Sequence, residues 1–239
     1  MTAESRLEAL VARFGLDPSL VGPLGAYLEL LANDPTAPTT VTDPARAIDE
    51  HLADAYVALE LPEVRDAHDL ADLGSGAGVP GLPLALALPG ARVSLVDSLE
   101  RKGAFMRRAV EVTGATNVDV VVARAEAWPE GVGAHDVILA RAVAPLAVLA
   151  EYAAPLLREG GSLVAWKGQP DAEEHADAEF AAEVLGLAWE ERHAVTPWKG
   201  AKRLSLYVAR KIAPTPDRFP RREGMARKKQ LRAPSAGAN

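Results

Sequence analysis

The chain has 239 residues, 49% hydrophobic and 25% charged, which suits one large α/β domain with at most a small appendage and a substantial core. It has no cysteine, which excludes disulfides and thiolate metal sites, and its five scattered histidines lack helical metal-ligand spacing, so no metal is expected. The net charge of −7 hides an asymmetry: residues 1–198 carry a net −17 and residues 199–239 a net +10, the pattern of an acidic body with a basic arm that would neutralise a polyanion.

In chain order, "MTAESRLEALVARFG" carries acids early and no long apolar core, so it does not read as a signal peptide. No run of about 18 apolar residues follows anywhere, so no membrane partner is expected and the cytoplasm is the default location. Leu7, Leu10, Val11 and Phe14 form one helical stripe, and Pro18 opens a second helix with Val21, Leu24, Leu28 and Leu31 on its inner face. "NDPTAPTTVTDP" (33–44) reads as a loop. Asp43 is placed as an N-cap, with Pro44 at the first helical position, for a helix whose Ile48, Leu52, Ala55 and Leu59 repeat at helical spacing. Residues 1–60 thus read as a helical cap, residues 61–212 as the main domain and residues 213–239 as a basic tail.

From Asp69 the pattern alternates. Strands are predicted at 69–73, 92–96, 117–122, 135–140 and 161–166, and helices at about 81–88, 99–113, 145–157 and 171–186. That rhythm predicts a parallel sheet covered on both faces. After Gly186, "LAWEERHAV" and "RLSLYVARK" follow one another without a helix between them, which predicts an antiparallel hairpin on the sheet edge. With this pair the strands number seven.

The chemistry starts at "DLGSGAGVPG" (72–81), where Gly74, Gly76 and Gly78 alternate after an apolar strand. Such glycines let the backbone turn sharply and approach a ligand, and the next helix would offer amides to it. Asp97 ends the second strand, where a carboxylate can accept bonds from two ribose hydroxyls, and Ser98 follows. "GAGVPG" (76–81) matches the dinucleotide text, but in the register from Gly74 the sixth position is Val79, which weakens close helix–strand packing over a pyrophosphate. Asp72 suits a cationic methionine moiety and opposes a diphosphate. Glu126, past the third strand, is positioned to read an adenine amino group. These features favour S-adenosylmethionine over NAD, and the terminal hairpin is similar to that of class I methyltransferases.

"HLADA" (51–55), "DLGSGAGVPGLPLAL" (72–86), "LVDSLERKGAFMR" (95–107), "ARAEAW" (123–128), "ARAVAPL" (140–146) and "AWKGQ" (165–169) together resemble the RsmG (GidB) family, in order and spacing. "TPDRFPRREGMARKKQL" resembles the basic end of many members. The resemblance implies the class I methyltransferase (Rossmann-like) fold and methylation of guanine N7 in the 530 loop of 16S ribosomal RNA. It also implies cofactor contacts at Gly74, Val79, Ala125, Glu126 and Arg141. The chain departs from the family where many members carry "NLT" before "HxxDS": it reads "PTTVTDP", and the motif ends in Ala55.

Guanine N7 has an unprotonated lone pair in the ring plane, so its methylation needs no general base. The chain lacks both a cysteine nucleophile and an Asn/Asp-Pro-Pro-aromatic loop after the fourth strand, the groups common to C5 and amino methylation. Arg141, following that strand at the carboxyl edge where ligands bind, is the expected reaction-centre residue, acting by position. Arg101, Lys102, Arg107 and Arg108, then Lys167, Lys199, Lys202 and Arg203, and in the tail Arg221, Arg222, Lys228 and Lys229, are the candidate RNA contacts. The expected partner is 16S ribosomal RNA or the small subunit, with a monomer as the default. The alternatives are a methyltransferase of this fold acting on another RNA or a small molecule, an NAD-dependent oxidoreductase, and a non-enzymatic RNA-binding protein.

Overall fold

The computed structural model describes residues 2–190, 192–201 and 204–234. They form two compact units, one of residues 2–123 with 196–201, the other of 124–190 with 192–195 and 204–234.

The first unit opens with α1 (Ala3–Arg13), whose Leu7, Leu10 and Val11 are buried as their spacing predicts. A 3-10 turn at Pro18–Leu20, capped by Asp17, leads into α2 (Val21–Asn33), which buries Leu24, Tyr27, Leu28 and Leu31. Asp43 caps α3 (Pro44–Ala47), accepting from Arg46 N at 2.8 Å, with Pro44 at the first position. The helical run continues as a π turn at Ile48–Ala53, α4 (Asp54–Tyr56) and a 3-10 turn, Val57–Glu60. The short α5 (Pro62–Arg65) precedes β1 (Asp69–Leu73), α6 (Gly81–Ala87), β2 (Arg92–Asp97), α7 (Glu100–Thr113) and β3 (Val118–Val122). The three strands are parallel in the order β3-β2-β1. Helix α7 packs on α2 and ends at Gly114, whose left-handed φ of 67° stops it.

The second unit carries β4 (His135–Arg141), α8 (Leu146–Ala153), β5 (Leu157–Lys167) and α9 (Ala172–Leu185). Then come β6 (Leu187–Trp189), β7 (His193–Val195), β8 (Leu204–Lys211) and α10 (Met225–Lys228). Strands β4 and β5 are parallel, and β8 runs antiparallel to β5, β6 and β7. The predicted hairpin therefore forms with a different detail. Its first run breaks into two short strands, giving eight strands among the described residues instead of seven. The last strand is interior: β8 lies between β5 and β6, and the short strands make the edge. Strand β5 also starts at Leu157, four residues before its predicted start, where it pairs with His135 ahead of a register shift; at Gly161 a Cβ would lie 2.8 Å from Asp136 O. No helix among the described residues is long and apolar enough to cross a membrane.

Lys211, at the end of β8, is buried and donates to the carbonyls of Ala154 and Leu157 at 2.7 Å each. It ties the end of α8 to the start of β5. Burial pushes its pKa down from 10.5. Between the lowered native value and 10.5 the unfolded chain binds more protons, so the lysine's contribution to stability rises with pH across that interval. Lys211→Met is expected to cost about 1–3 kcal/mol in urea unfolding at neutral pH, through two buried carbonyls losing their donor. The gap to the unsubstituted chain should widen as pH approaches 10.5.

Candidate functional site

The loop after β1 is built by its own backbone and by Asp72. Gly74, Gly76 and Gly78 have φ of 72°, 58° and 92°, the left-handed region that L side chains rarely adopt. Asp72 is 1% exposed; its Oδ2 accepts from Ser75 Oγ at 2.6 Å and from Gly81 N at 2.9 Å. Its carboxylate therefore organises the loop.

Gly81 performs a role that the sequence reading assigned to no residue. A Cβ there would fall 2.4 Å from Leu95 Cδ2 and 2.8 Å from Asp72 Cβ, so this glycine gives the close helix–strand packing that Val79 was expected to weaken. The first amides of α6 are also not free for a ligand. Gly81 N is taken by Asp72, and Leu82 N donates to Gly78 O at 2.7 Å. Gly74 N and Ser75 N both donate to Val96 O, and Val79 N to Ser75 O. A loop that spends its amides internally is a poor diphosphate cradle and suits a nucleoside that approaches by shape.

Asp97 is buried at the end of β2. Its Oδ2 accepts from Gly76 N at 3.2 Å and Lys102 Nζ at 2.9 Å, and its Oδ1 from Leu99 N at 3.2 Å. The ammonium of Lys102, a candidate RNA contact, is thus paired with the candidate ribose acceptor. Ser98 is exposed beside it.

Tyr27 was not singled out in the sequence. It is fully buried on α2, and its hydroxyl donates to Ala77 O, between two of the loop glycines, at 2.8 Å. Its spacing of three from Leu24 signals the inner face and nothing about the hydroxyl's target. In "HLADA", His51 Nε2 lies 3.0 Å from Thr39 Oγ1, which ties the departing "PTTVTDP" segment to the motif.

Among the other bases of this unit, Arg101 and Lys199 are exposed. Arg107 pairs with Glu100 at 2.7 Å, and Arg108 binds Asp34 and Thr36 Oγ1 at 2.8 and 2.7 Å. Lys202 and Arg203 lie outside the described residues.

In the second unit, Ala125 and Glu126 sit in a 3-10 turn, Ala125–Ala127. Glu126 is half-buried and its Oε1 accepts from Gly224 N at 2.9 Å. Arg141 ends β4, opposite Trp166 of β5. The next residue, Ala142, has a φ of 56°, the one left-handed non-glycine position among the described residues. Lys167 pairs with Glu174 at 2.5 Å, and that carboxylate also accepts from Leu146 N.

The tail is a docked segment. Arg221 clasps the buried Glu151 through two bonds, Nε donating to Oε1 at 2.6 Å. Arg222, Lys228 and Lys229 are exposed. A cavity of about 450 Å³ in this unit, lined by Leu146, Gln169, His175, Trp189, Arg192 and Tyr207 among others, holds none of the expected cofactor residues.

The first unit thus assembles Gly74, Gly76, Gly78, Val79, Asp97 and Ser98, and the second holds Ala125, Glu126 and Arg141. Tyr27→Phe should leave the Ala77 carbonyl without its hydroxyl donor. Its expected cost is about 1 kcal/mol in urea unfolding, with weaker S-adenosylhomocysteine binding by calorimetry. Unchanged affinity would mean that Tyr27 supports the fold alone.

Comparison with known proteins matches this architecture. A family model described as GidB, rRNA small subunit methyltransferase G, matches residues 23–199. Ribosomal RNA small subunit methyltransferase G of Rubrobacter xylanophilus is 43% identical over 196 residues, 80% of this chain and 75% of that protein. The protein of the same name from Pelotomaculum thermopropionicum is 39% identical over 197 residues, 81% of this chain and 82% of its own. Among solved structures, a SAM-dependent methyltransferase from Aquifex aeolicus superposes with a TM-score of 0.53 at 20% identity, over 72% of this chain and 94% of that one. The methyltransferase SibL in its apo form gives 0.54 at 17%, over 80% and 70%. At such identities these two establish the fold alone, the mixed α/β fold of S-adenosylmethionine-dependent methyltransferases. With three quarters of its length matched by one family model, the chain belongs to the rRNA small subunit methyltransferase G family.

Proposed function

We propose that this chain transfers a methyl group from S-adenosylmethionine to N7 of a guanine in the 530 loop of 16S ribosomal RNA. The observation that carries the reading is family membership across residues 23–199. The loop adds support, because its internally spent amides and buried Asp72 suit a nucleoside with a cationic tail better than a diphosphate.

The sequence and the family reading give Gly74, Gly76, Gly78, Val79, Asp97, Ser98, Ala125, Glu126 and Arg141 as the residues that would hold the cofactor. When bound, the cofactor supplies a methyl group already activated on a sulfonium. The chain's own residues then have to bind and orient. Asp97 Oδ1, with one donor, retains capacity to accept from a ribose hydroxyl. Arg141 holds a fixed cation at the carboxyl end of β4, where it orients an anionic or guanine-edge acceptor. No side chain has to remove a proton, since the nucleophilic nitrogen carries none. The exposed Arg101, Lys199, Arg222, Lys228 and Lys229 would face RNA phosphates. Lys102, Arg107, Arg108, Lys167 and Arg221 would contribute while sharing their charge with the carboxylates that pair with them. A monomer acting in the cytoplasm, where the small subunit is made, completes the reading.

Mapping 7-methylguanosine in 16S RNA from cells with and without this protein should show one methylated 530-loop guanine lost with the protein. An unchanged map would overturn the assignment. Calorimetry should give S-adenosylhomocysteine binding and no NAD binding. Arg141→Ala should slow methyl transfer at least tenfold, about 1.4 kcal/mol in barrier, with the fold intact by circular dichroism.

A further inference from the structure

The basic tail does more in this structure than offer charge. It crosses the second unit as a segment fixed at both ends. At one end Arg221 clasps Glu151, whose side chain is 2% exposed. At the other, Gln230 Nε2 and Ala233 N donate to the two oxygens of Asp177 at 3.2 and 2.9 Å. Between these anchors lies α10, which packs on α8 through the buried Ala226.

Two bonds leave this short helix for the residues that matter chemically. Gly224 N, at its start, donates to Glu126 Oε1 at 2.9 Å. Arg227 Nη2, one turn on, donates to Val143 O at 2.7 Å. The flanking pair Arg124–Glu223, at 3.1 Å, holds the Glu126 turn to the same stretch of tail. Val143 lies two residues after Arg141, and the residue between them is the strained Ala142. A non-glycine residue in the left-handed region persists where its surroundings over-determine it. Here the Arg227 bond fixes the adjoining carbonyl. Tyr152, on α8, lies in the same electrostatic neighbourhood: burial raises its pKa first, the charge of Glu126 raises it further, and Arg227 opposes both.

We infer that α10 is a clip holding the Glu126 turn and the Arg141 loop at one fixed spacing, with Arg227 as a positioning residue for cofactor binding. The clip rests on the methyltransferase reading above, in which Glu126 and Arg141 touch the cofactor. It makes the tail part of the cofactor site's scaffold, where the sequence suggested only an RNA arm. Arg227 is exposed, so its removal spares the packed core while releasing the Val143 carbonyl.

The test compares the full chain with Arg227→Ala, Arg227→Lys and a Lys228→Ala/Lys229→Ala double variant. It measures S-adenosylhomocysteine affinity by calorimetry, 16S RNA affinity by filter binding at one salt concentration, and KM against kcat for S-adenosylmethionine. Arg227→Ala should raise the S-adenosylhomocysteine Kd and the S-adenosylmethionine KM about fivefold or more, with RNA affinity within twofold. Arg227→Lys, keeping one donor and the charge, should fall between. The double variant should show the reverse pattern, weaker RNA binding at unchanged S-adenosylhomocysteine Kd. If both Arg227 variants bind S-adenosylhomocysteine as the unsubstituted chain does, or if the double variant weakens it equally, the clip is overturned. An unsubstituted chain that binds no S-adenosylhomocysteine would instead overturn the methyltransferase reading itself, and the clip with it.

Discussion

Asp72 lies at the end of β1 with its carboxylate out of water, and the loop that follows is shaped around it. Burying a carboxylate is costly unless donors surround it, and charge-assisted bonds of this kind are about twice as strong as neutral ones. Ser75 Oγ and Gly81 N supply them from the two ends of the glycine loop. The loop must therefore fold back on itself within six residues, and three left-handed glycines let it. Gly81 then has to be a glycine for a second reason, since Asp72 and Leu95 leave no room for a Cβ. Tyr27 closes the loop from the N-terminal helices by donating its hydroxyl to Ala77 O. A loop ordered this fully before a ligand arrives spends little binding energy on its own ordering.

The second unit solves a different problem, that of charge. The chain's acidic body and basic end look in sequence like a protein waiting for a polyanion. Part of that imbalance is met within the chain, by the pairs Arg221–Glu151 and Arg232–Glu173. Glu151, Asp177 and Glu126 each accept from a base or an amide of the tail. Removing one partner of a buried pair such as Arg221–Glu151 leaves a charge without compensation, which is far costlier than losing an exposed bridge. The tail bases left facing solvent include Arg218, Arg222, Lys228 and Lys229, fewer than composition suggests.

What the sequence made legible follows from how local each signal is. Strand β1 falls on its predicted residues, and the helices after it lie within a few residues of theirs, because period and punctuation are properties of neighbours. The Asp43 cap and the Gly74-Gly76-Gly78 turn are equally local and equally readable. The split of residues 187–195 into β6 and β7 was not readable, since both pieces are three residues long and are defined by pairing with β8. The tail's contacts were hidden for a plainer reason. Arg221 finds Glu151 70 positions back, and Gly224 finds Glu126 98 positions back, distances across which spacing carries no information. Tyr27 belongs with these: an aromatic on an apolar face announces burial, and only the fold shows where its hydroxyl lands.

The first unit is also discontinuous along the chain. Arg13, at the end of α1, donates to the carbonyls of Thr196 and Pro197, and the Thr196 bond joins residues 183 positions apart. On a ribosome that adds roughly 5–20 residues per second, α1 emerges on the order of ten seconds or more before these partners exist. The N-terminal helices must therefore wait, partly closed, through the synthesis of residues 124–195 of the second unit. Completion of the protein's beginning waits on residues made 183 positions later.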